Sequence, residues 1–178
     1  MDTETVTAYI GIGSNLGDRA GNLLLAVRGL LEASIEVEKL SAIYETEPVE
    51  IESEGAFLNM VAEVRVRNVS ASQLMARMLR IEYLLGRRDK SLKKPRTVDL
   101  DLLLFGGQRV DTPFLTVPHP RLHLRRFVLI PLAEIAPNAV HNVMHKEIRT
   151  LLNETEDQSY VARWNPYSPG MLSTIPLS

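Results

Sequence analysis

Apolar residues recur at two different spacings along this chain, and the spacing alone divides most of it into strands and helices. Val6, Ala8, Ile10 and Ile12 alternate with Thr7, Tyr9, Gly11 and Gly13, the period of a strand with one buried face. Ser14–Asp18 then reads as a turn, with Asp18 a suitable helix N-cap. Leu23, Leu24, Val27, Leu30 and Leu31 follow the 3.6-residue period of an amphipathic helix over about 19–33. From Ile35 to Thr46 the pattern is strand-like, but its parity changes after Val37, which predicts a bulge or kink. Residues 47–55 read as a polar, acidic loop. Residues 57–66 alternate cleanly: Leu58, Met60, Ala62, Val64 and Val66 take one face, Phe57, Asn59, Val61, Glu63 and Arg65 the other. Ser70 and Gln73 form a capping box that opens a helix over about 71–85, closed by Gly86.

A basic loop over 87–97 leads into a strand over 98–105. Gly106-Gly107 predicts a hairpin into a short strand near 108–110, and Val117-Pro118-His119-Pro120 an extended, rigid piece. A helix is expected over 127–135, its start limited by Pro131, and a shorter one near 146–153. The chain then turns polar and proline-bearing, as a loosely attached segment does. The order β-α-β-β-α-β, followed by a hairpin and helices, predicts an α+β fold. Its core is ferredoxin-like, with helices packed on a mainly antiparallel sheet. The expected division is one domain over 1–153 and an extension over 154–178.

The strand at 98–105 also carries the chemistry. It is apolar except for Asp99 and Asp101. Side chains at i and i+2 share a strand face, so these carboxylates stand together with Cα atoms roughly 6.5–7 Å apart. A solvent-facing strand would tolerate them, but Asp is a poor strand former beside Leu-Leu-Leu-Phe. Carboxylates held this close repel unless a cation lies between them. Hard oxygen donors on one rigid face suit Mg²⁺, and paired metals commonly clamp phosphates.

Charge sharpens that picture. The 178-residue chain has a net charge of −2, which argues against nucleic acid as the main partner. Residues 87–126, however, hold ten Lys/Arg against four acids, a local +6 that leaves −8 elsewhere. A basic funnel around a carboxylate pair is what a polyphosphate requires. There are no cysteines, which excludes disulfides, thiolate metal sites and a cysteine nucleophile and fits a reducing cytosol. No apolar run approaches a membrane span, and the acidic N-terminus lacks a signal-peptide core. The expectation is a cytoplasmic protein with no membrane partner.

Three smaller features add to this. Gly11-x-Gly13-x-x-x-Gly17 lacks the dinucleotide spacing, and no P-loop Lys follows, so it reads as a tight β–α turn. Phe57 and Asn59 share a strand face, where an aromatic and an amide can hold a flat heterocycle. His119 lies between two prolines near Arg121 and Arg125, close enough in sequence for a phosphate contact, and nothing at ligand spacing supports zinc.

Taken together, Tyr9–Gly17, Tyr44–Val49, Phe57–Met60, Arg80–Glu82, Gly86–Arg88, Pro95–Asp101, Val117–His119 and Arg125–Phe127 resemble the 6-hydroxymethyl-7,8-dihydropterin pyrophosphokinases of folate biosynthesis. Pro-Arg-Thr-x-Asp-Leu-Asp with a downstream Val-Pro-His is the most specific part. The resemblance implies pyrophosphoryl transfer from ATP to the pterin's hydroxymethyl group, with AMP released and two Mg²⁺ ions used. It implies Asp99 and Asp101 as metal ligands and Phe57 and Phe127 as aromatic walls. Asn59, Thr46 and the backbone near Val49 become polar contacts to the pterin, with Gly13 lining the site. Arg96 and Arg125 are implied as catalytic arginines. Glu82, Arg87, His119, Thr116 and Leu102 are implied at the nucleotide, together with a second basic loop residue, Arg88 or Lys90. The partners expected are ATP and a reduced pterin, while a protein partner is not legible.

The chain departs from the family pattern at Ser91–Lys94, where many members place an aromatic and a glycine, and at Glu47, where some have proline. Two other classes remain open at this point. A non-catalytic ferredoxin-like module that binds a small ligand would need neither the carboxylate pair nor the arginine excess. A nucleotidyltransferase would release pyrophosphate instead of AMP.

Overall fold

The computed structural model describes residues 4–46, 56–86 and 97–166. Strand β1 (Thr5–Ser14) runs through the middle of the sheet. Its Ala8, Ile10 and Ile12 are buried, as the alternation requires. Helix α1 (Arg19–Glu32) starts where Asp18 accepts the Gly21 N–H at 3.0 Å. Strands β2 (Glu36–Leu40) and β3 (Tyr44–Thr46) both pair with β4 (Phe57–Arg67). The expected kink is present as a register shift between Val37 and Lys39. Ser41 bridges the gap between the two strands, donating its N–H to the Val61 carbonyl while its Oγ accepts the Val61 N–H, each at 2.9 Å. Helix α2 (Ala71–Leu84) opens on the full Ser70–Gln73 capping box, and Gly86 lies just past its end at φ +99°.

Strand β5 (Asp99–Phe105) completes a six-stranded antiparallel sheet in the order β10-β3-β4-β1-β5, with β2 also on β4. Strand β10 (Val161–Arg163) is its far edge. Leu23, Leu30, Leu74 and Met78 of α1 and α2 bury one face against Ile10, Leu58 and Leu100. On the other face, α3 (Arg126–Ile135) and α4 (Ile148–Glu154) bury Leu129, Leu132 and Ile148 against Val61 and Leu103. A bulge in β5 opposite Tyr9 and Ile10 lets Leu103 and Leu104 both join this second core.

Three sequence expectations are corrected. The Gly106-Gly107 turn does not fold a strand back onto β5. Gly106 donates its N–H to the Thr7 carbonyl, Gln108 donates to Phe105, and the Leu103 carbonyl is taken by the His119 N–H at 2.9 Å. The hairpin forms later, between β6 (Val110–Asp111) and β7 (Thr116–Val117). Pro131 does not limit the start of α3, which begins five residues earlier and contains it. A proline there removes only the bond that the Phe127 carbonyl would accept. As the alternation requires, Gly11 and Gly13 belong to β1, and Gly17, at φ +67°, lies in the turn that follows.

Nor is the chain after Asn153 loosely attached over its described part. Beyond the short hairpin β8 (Val140–His141) and β9 (Lys146–Glu147) and α4, it returns to the sheet as β10, and Trp164 donates its N–H to the Ile43 carbonyl at 2.8 Å. A 3-10 turn at Leu122–Leu124 precedes α3, and the Val117–Pro118 peptide is cis. No helix among the described residues is long and apolar enough to cross a membrane.

Candidate active site

The site is built on three adjacent strands. Gly13 of β1 pairs with Asn59 of β4 on one side and with Asp99 of β5 on the other. Gly11 pairs likewise with Val61 and Asp101. At Gly11 and Gly13 β1 contributes no side chain to this face, so a trough runs there between the Asn59 amide and the two carboxylates. At Gly13 the bareness is a steric requirement, because a Cβ there would stand 2.8 Å from Asn59 Oδ1. The Asn59 amide is held in turn by Thr46, buried on β3, whose Oγ1 accepts from Nδ2 at 2.8 Å.

Phe57 shares the face of Asn59. Opposite it, the start of α3 brings Arg125 and Phe127, with the guanidinium 5.6 Å from the ring centroid, a cation–π distance. Both rings are half-buried and belong to neither core. Gly11, Gly13, Thr46, Phe57, Asn59, Asp99, Asp101, Arg125 and Phe127 all line one cleft, open to solvent.

At the carboxylate end, His119 Nε2 lies 4.0 Å from Asp101 Oδ1, beyond hydrogen-bond length. Its Nδ1 accepts the Arg121 N–H at 3.1 Å, so a neutral ring carries its proton on Nε2, toward the cleft. Among the described residues no third acid or histidine completes a metal-binding cluster. Two carboxylates on one rigid face still fit Mg²⁺, which is usually held by one or two carboxylates and otherwise by water and substrate phosphates. Tyr9 lies beyond Gly11 on the same face of β1. Burial and the neighbouring Glu63 push its phenol up to about 12, so it stays protonated and is no base.

Other sequence-proposed residues are spread around this cleft. Thr116 is exposed on β7, and Thr116 and His119 line a neighbouring cavity. Glu82 is buried beneath β5, where Oε1 accepts the Leu100 N–H at 2.6 Å. It therefore supports the backbone between Asp99 and Asp101. Leu102 is buried in the first core, on the opposite face from the carboxylates. Val49, Arg87, Arg88, Lys90 and Arg96 lie outside the described residues. The sequence reading missed Gly11, Val61 and Leu103 as lining residues. Each sits two positions from a residue that was found, so extending the two-residue period would have caught them.

Comparison with known proteins gives the chain a family. The model of the family described as 7,8-dihydro-6-hydroxymethylpterin-pyrophosphokinase (HPPK) matches residues 9–137. The chain belongs to this family. A 2-amino-4-hydroxy-6-hydroxymethyldihydropteridine pyrophosphokinase of Bacillus subtilis is 46% identical over 129 residues, covering 72% of this chain and 77% of that protein. Its namesake from Aquifex aeolicus is 36% identical over 143 residues, covering 80% and 88%. A crystal structure of Plasmodium falciparum HPPK-DHPS with pteroate has the same fold, with a TM-score of 0.69 at 15% identity over 86% of this chain. This chain spans only 45% of that longer one. The HPPK match ends at residue 137, so β8, β9, α4 and β10 lie beyond it.

Proposed function

We propose that this chain transfers pyrophosphate from ATP to the hydroxymethyl group of 6-hydroxymethyl-7,8-dihydropterin and releases AMP, a step of folate biosynthesis. The observation that carries the reading is the shared cleft. An aromatic–amide end suited to a flat heterocycle and a carboxylate–arginine end suited to a polyphosphate face each other across a bare strand.

The pterin lies between Phe57 and Phe127, which gain stacking energy from both of its faces. The Asn59 amide and Thr46 read its polar edge, with the Val49 backbone as a further contact, and Gly13 leaves room for the ring. Asp99 and Asp101 hold Mg²⁺, two ions by family resemblance. When bound there, Mg²⁺ would supply positive charge that offsets the negative charge of the phosphates during transfer.

The pterin hydroxymethyl oxygen attacks the β-phosphorus in line. A new O–P bond forms, the α–β bridging oxygen leaves with AMP, and the hydroxyl proton passes to solvent. Arg125 and Arg96 stabilise negative charge on the transferred group. His119 and Thr116 contact the nucleotide together with Arg87 and Arg88. Glu82 and Leu102 act through the β5 backbone. The frame is ferredoxin-like: β1-α1-β2/β3-β4-α2-β5, with β2 and β3 sharing the place of one strand.

The test is to incubate the protein with Mg²⁺, ATP and the reduced pterin and to identify the nucleotide released. AMP, formed only when pterin is present, is expected. Pyrophosphate release would indicate nucleotidyl transfer, and binding without turnover a regulatory module.

A further inference from the structure

Helix α3 supplies the arginine and the phenylalanine of the cleft, yet it has no cap of its own. Arg125 stands at the N-cap position in an extended conformation, φ −124° and ψ 106°, and its side chain makes no capping bond. The missing acceptor comes from 31 residues downstream. Asp157 Oδ2 accepts the Arg126 N–H at 2.7 Å, while Oδ1 accepts the Ser159 N–H at 2.9 Å. Burial raises the Asp157 pKa, but these two N–H bonds outweigh it and hold the carboxyl below its usual value. It therefore faces the positive end of the helix as an anion, the favoured charge there.

The other end of α3 is tied to the same segment. Glu134 Oε1 accepts from Arg163 Nη2 of β10 at 3.0 Å. Glu134 Oε2 accepts the Ala42 N–H at 2.9 Å and the Tyr44 hydroxyl at 3.1 Å. Strand β10 meanwhile pairs with β3, and Thr46, opposite Val161, holds the Asn59 amide. One segment thus grips both ends of the helix that carries Phe127 and also the strand that orients Asn59.

We infer that the segment after α4 is a positioning brace for the pterin half of the cleft, with Asp157 as its principal positioning residue. This rests on the pterin reading above. Asp157 touches no substrate; it sets where Arg125 and Phe127 stand by fixing the first turn of α3. Displacement of about 1 Å at a reacting centre can cost on the order of a hundredfold in rate, so a lost cap at this helix should be read in pterin binding before it is read in the fold.

The experiment measures pterin affinity by calorimetry in the presence of a non-hydrolysable ATP analogue, with thermal melts of each protein. Asp157→Ala should weaken pterin binding about tenfold or more, whereas Asp157→Asn, which keeps one of the two acceptor oxygens and no charge, should fall between the alanine and the parent. Ser70→Ala, which removes the equivalent cap of α2, is the control for a comparable loss of stability and should bind pterin normally. Arg163→Ala cuts the brace at an exposed side chain and serves if Asp157→Ala does not fold; it should weaken pterin binding several-fold. Emission from Trp164, the chain's one tryptophan, reports whether the segment remains docked.

The brace is refuted if Asp157→Ala, or Arg163→Ala in its place, binds pterin within about twofold of the parent. It is also refuted if Ser70→Ala loses as much affinity. Failure of the parent itself to bind pterin would sink the functional reading, and the brace with it.

Discussion

Replacing Gly13 by alanine should separate binding from stability more cleanly than any other change in the cleft. The added Cβ would lie 2.8 Å from Asn59 Oδ1 and 3.7 Å from a ring carbon of Phe57. The first distance is too short, so the Asn59 amide must swing away, and it can do so only by leaving Thr46 Oγ1. A half-buried hydrogen bond of this kind contributes about 1 kcal/mol net. Against that loss, Gly→Ala in a strand stabilises by about 0.4–1 kcal/mol through the unfolded chain. The backbone at Gly13 is not in the left-handed region, so alanine brings no conformational strain. The two terms nearly cancel, and the melting temperature should hardly move.

Pterin binding should respond quite differently. A displaced amide leaves polar ring atoms without partners, each costing about 1–3 kcal/mol, a fall in affinity of roughly five- to 150-fold. Gly11→Ala is the matched control, since its Cβ would meet only the Leu103 side chain at 3.6 Å. Calorimetric titration of pterin with a non-hydrolysable ATP analogue, alongside urea melts, measures both quantities. If Gly13→Ala binds pterin normally, or loses several kcal/mol of stability, the assignment of Asn59 to the pterin edge is wrong.

Asp99→Ala and Asp101→Ala should each abolish nearly all turnover with circular dichroism unchanged, and substantial activity at saturating Mg²⁺ would exclude them as metal ligands. Arg125→Ala should lower kcat by about 100- to 1,000-fold, the worth of one charge-stabilising donor; an effect confined to KM for ATP would make it a ground-state anchor. Phe57→Ala should destabilise by clearly less than the ~3–5 kcal/mol of a core phenylalanine, because its ring is only partly buried and lies outside both cores, and urea melts decide this. Stability should also fall under mild acid: burial, then the neighbouring His123, lowers the His141 pKa, so the unfolded chain binds the proton first. That contribution is complete above about pH 6.5 and is lost as pH falls through the lowered folded value. In urea melts across this range His141→Gln should flatten the slope, and an unchanged slope would refute the role.

Where periodicity and local chemistry agree, the sequence was enough. The parity of residues 57–66, the Ser70–Gln73 box and the same-face aspartates all have causes within a few residues of chain, and each appears as expected. Misreadings arose where a partner had to be chosen at a distance. Gly106-Gly107 announces a turn but not which strand pairs next, and the β5 edge went to His119 from beyond the true hairpin. Glu82 carries the resemblance to a nucleotide contact, yet its burial depends on how α2 lies against β5, which no local pattern encodes. The polar stretch after Asn153 lacks the apolar content that signals attachment. It is attached instead through backbone pairing and through Asp157, neither of which leaves a periodic trace.

The bare trough over β1 makes the main chain a ruler. Asn59 and Asp99 stand on the two neighbours of one strand, so two inter-strand steps of ~4.8 Å set their backbones roughly 9.6 Å apart. No side-chain substitution can stretch or shorten that interval, because sheet hydrogen bonding fixes it. Sequence drift at the exposed start of β1 therefore leaves the interval unchanged, and along the trough Gly13 is the position that must stay bare. A single-residue insertion upstream of Gly11, absorbed within the strand, is another matter: it would turn both glycines toward the first core and raise their neighbours into the trough. For this cleft, insertions and deletions within β1 are a graver hazard than any substitution there.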